Sequence, residues 1–406
     1  MIIIKEGNKT VEAKSNAEKF KMIAKTMFGL EEVLANELRQ LGAEDIIPLT
    51  RAVTFTGTME TLYKANYCCR TALAILKPFA EFEANNEQEL YDNVYKIHWE
   101  QILDVDCTFF IESAANSNIF SNSYYAALKT KDAIVDRFRS MFGKRPSIDT
   151  ENPTYKFNIH IYQNRVTLLM NSSGESLHKR GYRQAVGIAP INEVLAAGLI
   201  QLSGWQADSN FFDPMCGSGT ILIEAAMFAN KIPAQYYRRN FGFMRWKEFN
   251  ILDWKRVKSE ADRQICEFEY DIWGSDIDMR VLEQAETNLK YAKLHHDVML
   301  YCQSVEFQKP PEGKCIIITN PPYGERIAVD DLNKMYTMIG DTFKNLYGDG
   351  KTAWLITSDF EAMKNIGLRP SRKIHLYNGP LECRFLKFDL YSGSKKDKIK
   401  QNGKGI

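Results

Sequence analysis

The sequence predicts a doubly wound α/β domain with a mostly parallel, Rossmann-like sheet, preceded by a smaller α+β region. Three observations carry that expectation. From about residue 192 onward strand-like and helix-like segments alternate regularly, the mark of repeated βα units. Several strand segments, such as Cys315–Thr319 and Ala353–Thr357, are unbroken apolar runs, as expected of parallel strands covered on both faces. And 406 residues exceed one ordinary core, while 45% hydrophobic residues supply enough material for two or three.

Residues 1–16 read as an extension, a strand-like stub followed by a polar linker. The α+β unit over 17–85 begins with a strand at Phe20. A helix from Gly29 to Gly42 follows, with Leu30, Val33, Leu34, Leu38 and Leu41 at helical spacing and glycine at its end. Val53–Gly57 is a strand, Met59–Tyr67 a helix and Ala72–Phe79 a strand. Over 86–172 the pattern gives helices at Glu87–Ile97 and Tyr124–Met141, with strands at Cys107–Ser113, Lys156–Gln163 and Arg165–Asn171. The second of these helices carries Lys129, Lys131, Arg137 and Arg139, opposed by Asp132 and Asp136. A solvated charged face and an RNA-facing surface both account for it.

The large domain, 173–391, opens with a Gly-punctuated basic linker, where Lys179, Arg180 and Arg183 are candidate RNA contacts. Helices are expected at Asn192–Leu202, Thr220–Asn230, Met279–Ala292, Asp331–Leu346 and Phe360–Asn365. Strands are expected at Phe211–Asp213, Asp271–Ser275, Val298–Cys302, Cys315–Thr319, Ala353–Thr357, Lys373–Tyr377 and Arg384–Asp389. Residues 392–406 form a polar, basic tail.

Lys and Arg total 52 against 51 Asp and Glu, so a nucleic-acid partner would have to be gripped by local patches. The 8 cysteines show no C-x-x-C spacing and the 6 histidines no H-x-x-x-H pair. No metal site is expected, and a reduced, cytoplasmic setting is. Neither a leader peptide nor a membrane-spanning run is expected. Oligomeric state is not legible.

Three motifs carry chemistry. Asp213-Pro-Met-Cys-Gly-Ser-Gly-Thr220 lies between a strand and a helix. Gly217 and Gly219 let backbone turn sharply and approach a ligand. Position 222 is Leu222 where a dinucleotide fingerprint needs glycine, which disfavours a nicotinamide cofactor. Asp213 suits a cationic amino group such as the ammonium of S-adenosylmethionine. In Gly274-Ser-Asp-Ile-Asp278, Asp276 is placed to accept both ribose hydroxyls of a nucleoside, while Asp278 could bind cofactor or cap the next helix. The sharpest signal is Asn320-Pro321-Pro322-Tyr323 after a buried strand. An exocyclic amine on a base is a poor nucleophile because its lone pair is delocalised into the ring. The Asn320 side-chain oxygen and the Pro321 carbonyl can each accept one amine N–H, Pro322 stiffens the bend, and Tyr323 offers a stacking ring worth about 1–3 kcal/mol. Cys216, among the cofactor glycines, reads as a small packing residue rather than a nucleophile.

With Leu177–Arg183, Ala189–Glu193 and Asn378–Cys383, these motifs resemble the THUMP-containing class I RNA guanine-N2 methyltransferases, most of all bacterial enzymes acting on large-subunit ribosomal RNA. Gly29-Leu-Glu-Glu and Glu37–Gly42 resemble that family's ferredoxin-like segment, followed by a THUMP domain. The resemblance implies S-adenosylmethionine as cofactor, with Ala189, Pro190 and Glu193 at its methionine end, and an RNA-holding THUMP unit. It also places Gln303 where family members carry an acidic residue for the adenine amine. A tRNA guanine-N2 enzyme, a DNA adenine-N6 enzyme, a protein-glutamine methyltransferase and a non-catalytic assembly factor remain as alternatives.

Overall fold

The computed structural model describes residues 18–184, 191–322, 329–348 and 350–390. Ala189, Pro190 and Tyr323, with the extension and the tail, lie outside the described residues.

The first half runs β1 (Phe20–Lys25), α1 (Glu31–Gln40), β2 (Glu44–Leu49), β3 (Ala52–Gly57), α2 (Met59–Cys68), β4 (Ala74–Glu83), α3 (Glu87–Lys96), β5 (Thr108–Asn116), α4 (Ser123–Phe142), β6 (Ser147–Ile148), β7 (Tyr155–Tyr162) and β8 (Arg165–Asn171). Its strands make one sheet in the order β2-β3-β1-β4-β8-β7-β5-β6. The join is β4, which pairs with β1 on one side and antiparallel with β8 on the other, around an irregularity at Pro78. Segments read separately from the sequence thus share a backbone ladder. Side-chain caps start α3 and α4, where Asn86 and Asn122 accept the N–H groups of Glu89 and Tyr125.

The second half runs α5 (Glu193–Ser203), β9 (Asn210–Asp213), α6 (Thr220–Ala229), α7 (Ile251–Asp262), β10 (Ile272–Asp276), α8 (Met279–Tyr291), β11 (Val298–Cys302), β12 (Cys315–Thr319), α9 (Val329–Asn345), β13 (Thr352–Thr357), β14 (Arg372–Asn378) and β15 (Leu381–Asp389). The sheet order is β11-β10-β9-β12-β13-β15-β14, parallel from β11 to β13, with β15 antiparallel to both neighbours. The expected Rossmann-like architecture is present. Chain order reverses between β9 and β12, and ligands of open α/β sheets bind beyond the strand ends at such a switch.

Three differences from the sequence expectation have physical reasons. β2 is an edge strand holding Pro48, with no residue fully buried, so it lacks the alternation of a core strand. The helix α7 was not expected because only Trp254 and Val257 of its twelve residues are buried, too narrow a stripe to stand out. Phe360–Asn365, expected as a helix, is a 3₁₀ turn over Ala362–Ile366, ended by Gly367 in the left-handed region.

The halves are interlocked. Leu30, at the start of α1, belongs to the apolar core of the second half. Phe28 meets His375 and Tyr377 of β14 edge-on. In return Phe241, Phe243, Trp246, Trp254 and Val257 join the core of the first half. Glu37 accepts the N–H groups of Arg70 and Thr71 and a 2.7 Å bond from Gln201 of α5. Among the described residues no helix is long and apolar enough to cross a membrane.

Candidate active site

The site is built at the C-terminal ends of β9, β10, β11 and β12. Asp213 closes β9, and the chain turns through Cys216–Gly219 into α6. The Cys216 N–H reaches Ser275 O at 2.9 Å and the Gly217 N–H reaches Asp276 Oδ2 at 3.0 Å, which seats the loop on β10. Gly217 and Gly219 take φ of 55° and 80°, where an L side chain is strained. No atom lies within 4 Å of a Cβ built on Gly217, so the loop leaves open space above it. At Gly219 a Cβ would come within 3.2 Å of Ala285 on α8.

The second oxygen of Asp276 accepts the Asp278 N–H at 3.1 Å, so two backbone donors orient this carboxylate at the strand end. Asp278 itself is occupied otherwise. It accepts the Arg280 N–H at 2.9 Å as the cap of α8 and pairs with the Arg280 guanidinium, which holds its carboxyl below the usual range. The helix-cap alternative is the one seen in the structure. Gln303 follows β11 with its N–H on Asp276 O and its side chain exposed. Ile277 and Phe307, 75% and 65% exposed, lie on the loops after β10 and β11. Sequence reasoning passed over both, since a lone apolar residue in a loop carries no periodic signal.

Asp213 differs from expectation. Only 1% exposed, it accepts the Met215 N–H at 3.2 Å. Burial pushes its carboxyl up to about 7, with the Thr319 hydroxyl and the Met215 N–H holding it back. It braces the loop from beneath and has no surface with which to meet an ammonium directly. Cys216 is buried and its thiol is pushed well up by that burial, consistent with a packing residue.

At the start of α5, Asn192 caps the helix through the Val194 N–H, and Glu193 sits almost buried. Arg183 donates from Nε to Glu193 Oε1 at 2.8 Å and from Nη2 to Ile191 O and Thr220 Oγ1, both at 3.1 Å. A side chain read as an RNA contact is therefore spent bracketing α5 against the glycine loop. Asn288 of α8, absent from the sequence reading, adds a second tie by donating to Ser218 O and accepting the Gln184 N–H.

Arg180 is also corrected. It is fully buried, with Nε on Glu224 Oε1 at 3.3 Å and further bonds to Leu177 O and Arg70 O. The bond to Arg70 O ties the second half to the first, and a fully buried guanidinium cannot touch RNA. Arg137 is likewise engaged, holding Glu100 at 2.8 and 2.9 Å and Tyr95 O at 3.0 Å, and keeping the Glu100 carboxyl down at about 2. Lys129 sits 5.6 Å from the Tyr125 ring, Lys131 pairs with Asp132, and exposed Lys179 pairs with Glu175.

β12 runs beside the Asp213 strand with Ile317 opposite Phe212, so Asn320 lies two residues beyond the level of Asp213. Asn320 Oδ1 is buried and has no hydrogen-bond partner among the described residues. An unmet buried carbonyl costs roughly 1–3 kcal/mol, which a ligand N–H would recover. Pro321 is buried behind it and Pro322 half-buried. The open space over Gly217, the oriented Asp276 and this unmet oxygen together fit a nucleoside cofactor beside an amine-bearing substrate. Among the described residues no three His, Cys, Asp or Glu side chains cluster as metal ligands.

Comparison with known proteins agrees with this geometry. Residues 180–387 match the family described as RMKL-like, methyltransferase domain. Residues 84–171 match the THUMP domain, and residues 21–76 the RlmL ferredoxin-like domain. A Synechocystis protein named for a candidate RNA methyltransferase activity is 36% identical over 89% of this chain and 95% of its own. The ribosomal RNA large subunit methyltransferase K/L of Shewanella frigidimarina is 33% identical over 95% of this chain but 55% of its own, so the chain spans about half that relative's length. A crystal structure of a candidate methyltransferase complexed with SAH superposes at a TM-score of 0.82, with 33% identity over 93% of this chain and 99% of that one.

Proposed function

Because the chain belongs to the RMKL-like methyltransferase family, whose cofactor is S-adenosylmethionine, we propose that it methylates the exocyclic N2 amine of a guanine in large-subunit ribosomal RNA. The observation that carries this reading is the Asn320 Oδ1 just past the end of β12, buried and without a hydrogen-bond partner among the described residues. When bound, the cofactor supplies an electrophilic methyl group on a sulfonium.

The chain's own residues do the rest. Asn320 Oδ1 and the Pro321 carbonyl accept the two amine hydrogens, which favours a pyramidal nitrogen with its lone pair directed away from both. Positioning and preorganised polar groups of this kind account for most of the rate in reactions that need no covalent intermediate. Asp276 receives the cofactor ribose, Gly217 leaves space for it, and the Arg183–Glu193 bracket holds the edge of the site. The guanine leaves its stack to enter, at a cost of a few kcal/mol, and stacking on Tyr323 offsets much of that.

RNA rather than DNA is favoured by the N-terminal half, which matches a THUMP domain where a DNA enzyme would carry a DNA-reading module. Ribosomal RNA is favoured by the names of the K/L relatives. The test is nucleoside mass spectrometry on fractionated RNA from cells lacking this protein. Loss of N2-methylguanosine from large-subunit RNA, restored by the wild-type chain, is expected. Unchanged ribosomal RNA with a loss confined to tRNA or DNA would reject the substrate assignment.

A further inference from the structure

A trench runs along the seam between the two halves. Its first stretch is a groove of about 660 Å³ with the start of β7 on one wall and Tyr237–Trp246 on the other, floored by Ser173–Ser176. Its second stretch, about 550 Å³, is lined by Met27, Arg183, Glu193 and Gly379. Lys179 and Gly181 line both, so the two adjoin there. The trench therefore leads from the first half of the molecule to the Arg183–Glu193 bracket beside the glycine loop.

Its charge is strongly one-sided. The first stretch is lined by Lys156, Lys179, Arg238, Arg239 and Arg245 against only Glu151 and Glu175, five cations to two carboxylates. The whole chain carries a formal net charge of +1, so this is a local concentration of positive potential. The floor is rigid. Arg238 donates to Ser173 O, Glu175 O, Ser176 O and Asn240 O at 2.8–3.1 Å, and a Cβ on Gly242 would lie 2.5 Å from Asn171 O. Other cations keep donors free. Arg239 is exposed with no bonded partner among the described residues, and exposed Arg245 makes one bond, to Pro153 O. Phe110 and Tyr237 add aromatic lining. Cations interleaved with rings along a narrow groove suit a single nucleic-acid strand, phosphates on the cations and bases on the rings. An acidic peptide would use the charge but leave the rings without flat partners.

We infer that the trench is the track for the single-stranded RNA flanking the target nucleotide, with Arg239 and Arg245 on its phosphates. This rests on the RNA methyltransferase reading above.

The test measures binding of an unstructured oligouridylate of about ten nucleotides to the full chain and to the Arg239→Gln/Arg245→Gln variant across salt concentrations. Lys364→Gln, an exposed lysine away from the trench, serves as control, and SAH binding reports the fold. The double variant is expected to lose roughly ten- to hundredfold in affinity, and its log–log salt slope to shrink by about 1.4, or 0.7 per lost phosphate contact. SAH affinity should hold. Equal affinity and slope in the double variant and the wild type, while the wild type methylates RNA, would remove the trench and leave the methyltransferase reading standing. Failure of the wild type to methylate any RNA would remove that reading and the trench with it. Binding of polyglutamate that is lost in the double variant, with no binding of oligouridylate to the wild type, would assign the groove to an acidic protein and overturn the inference.

Discussion

Asn320 and Asp213 end neighbouring strands, yet their polar atoms are treated oppositely. Asn320 keeps an oxygen unmet among the described residues, whereas Asp213 is buried with the Met215 N–H on its carboxylate. The gap between about 7 and an ordinary aspartate corresponds to on the order of 4 kcal/mol of burial cost for the ionised form. Its sign is fixed: the folded state holds this proton to higher pH than the unfolded chain, so stability declines as pH rises from about 4 to about 7 and the penalty is complete above that. Asp213→Asn, which keeps an acceptor for Met215 and removes the charge, is expected to raise Tm over the wild type at pH 8 and match it at pH 4. Thermal denaturation at both values checks this, and a lower Tm at pH 8 would show the charge to be favourable. The motif placing Asp213 and Asn320 at strand ends was legible in the sequence. Which way each side chain faces was not, because that depends on the loop folding back over Asp213.

At the scale of elements, the site hangs on how α5, α6 and α8 are fixed to the sheet. Arg183 joins Ile191 and Glu193 to Thr220, and Asn288 joins Ser218 to Gln184. Removing one partner of a largely buried charge pair leaves the other uncompensated. Arg183→Met is therefore expected to weaken S-adenosylmethionine binding by about tenfold or more, while Arg183→Lys recovers part of it, as read by calorimetry. Unaltered cofactor affinity in Arg183→Met, alongside weaker RNA binding, would return this residue to the RNA-contact role its sequence setting suggested. That setting, a basic run in a glycine-rich linker, gives charge but not partners. Arg180 and Arg183 look alike there, and only the packing of Glu224 and Glu193 separates them from exposed Lys179. Strongly periodic elements such as α1 and α8 were readable for the opposite reason: their burial pattern is written within the segment. β2 was not, because an exposed edge strand holding Pro48 carries no core alternation, and α7 was not, because its packing partner is the distant α2.

Across the whole molecule, the segment after α6 crosses into the other half and makes the two behave as one body. Trp254 meets Tyr63, Tyr67, Phe241 and Phe243, and the Tyr67 hydroxyl donates to Asp262 at 2.6 Å. Trp254→Ala is expected to cost about 3–5 kcal/mol. In chemical denaturation, the signals of the two halves should shift together, and a shift in one alone would contradict the interlock. A rigid frame of this kind fixes the trench relative to the cleft, so a strand held along the seam arrives at a constant distance from Asn320. The most direct measurement follows labelled methyl from S-adenosylmethionine into ribosomal RNA, with wild type and Asn320→Ala compared after digestion to nucleosides. The account predicts label in N2-methylguanosine, a rate lower by roughly 10²–10³ in the variant, and equal cofactor affinity. Wild-type turnover in the variant, or label on a ring carbon or a ribose, would contradict it.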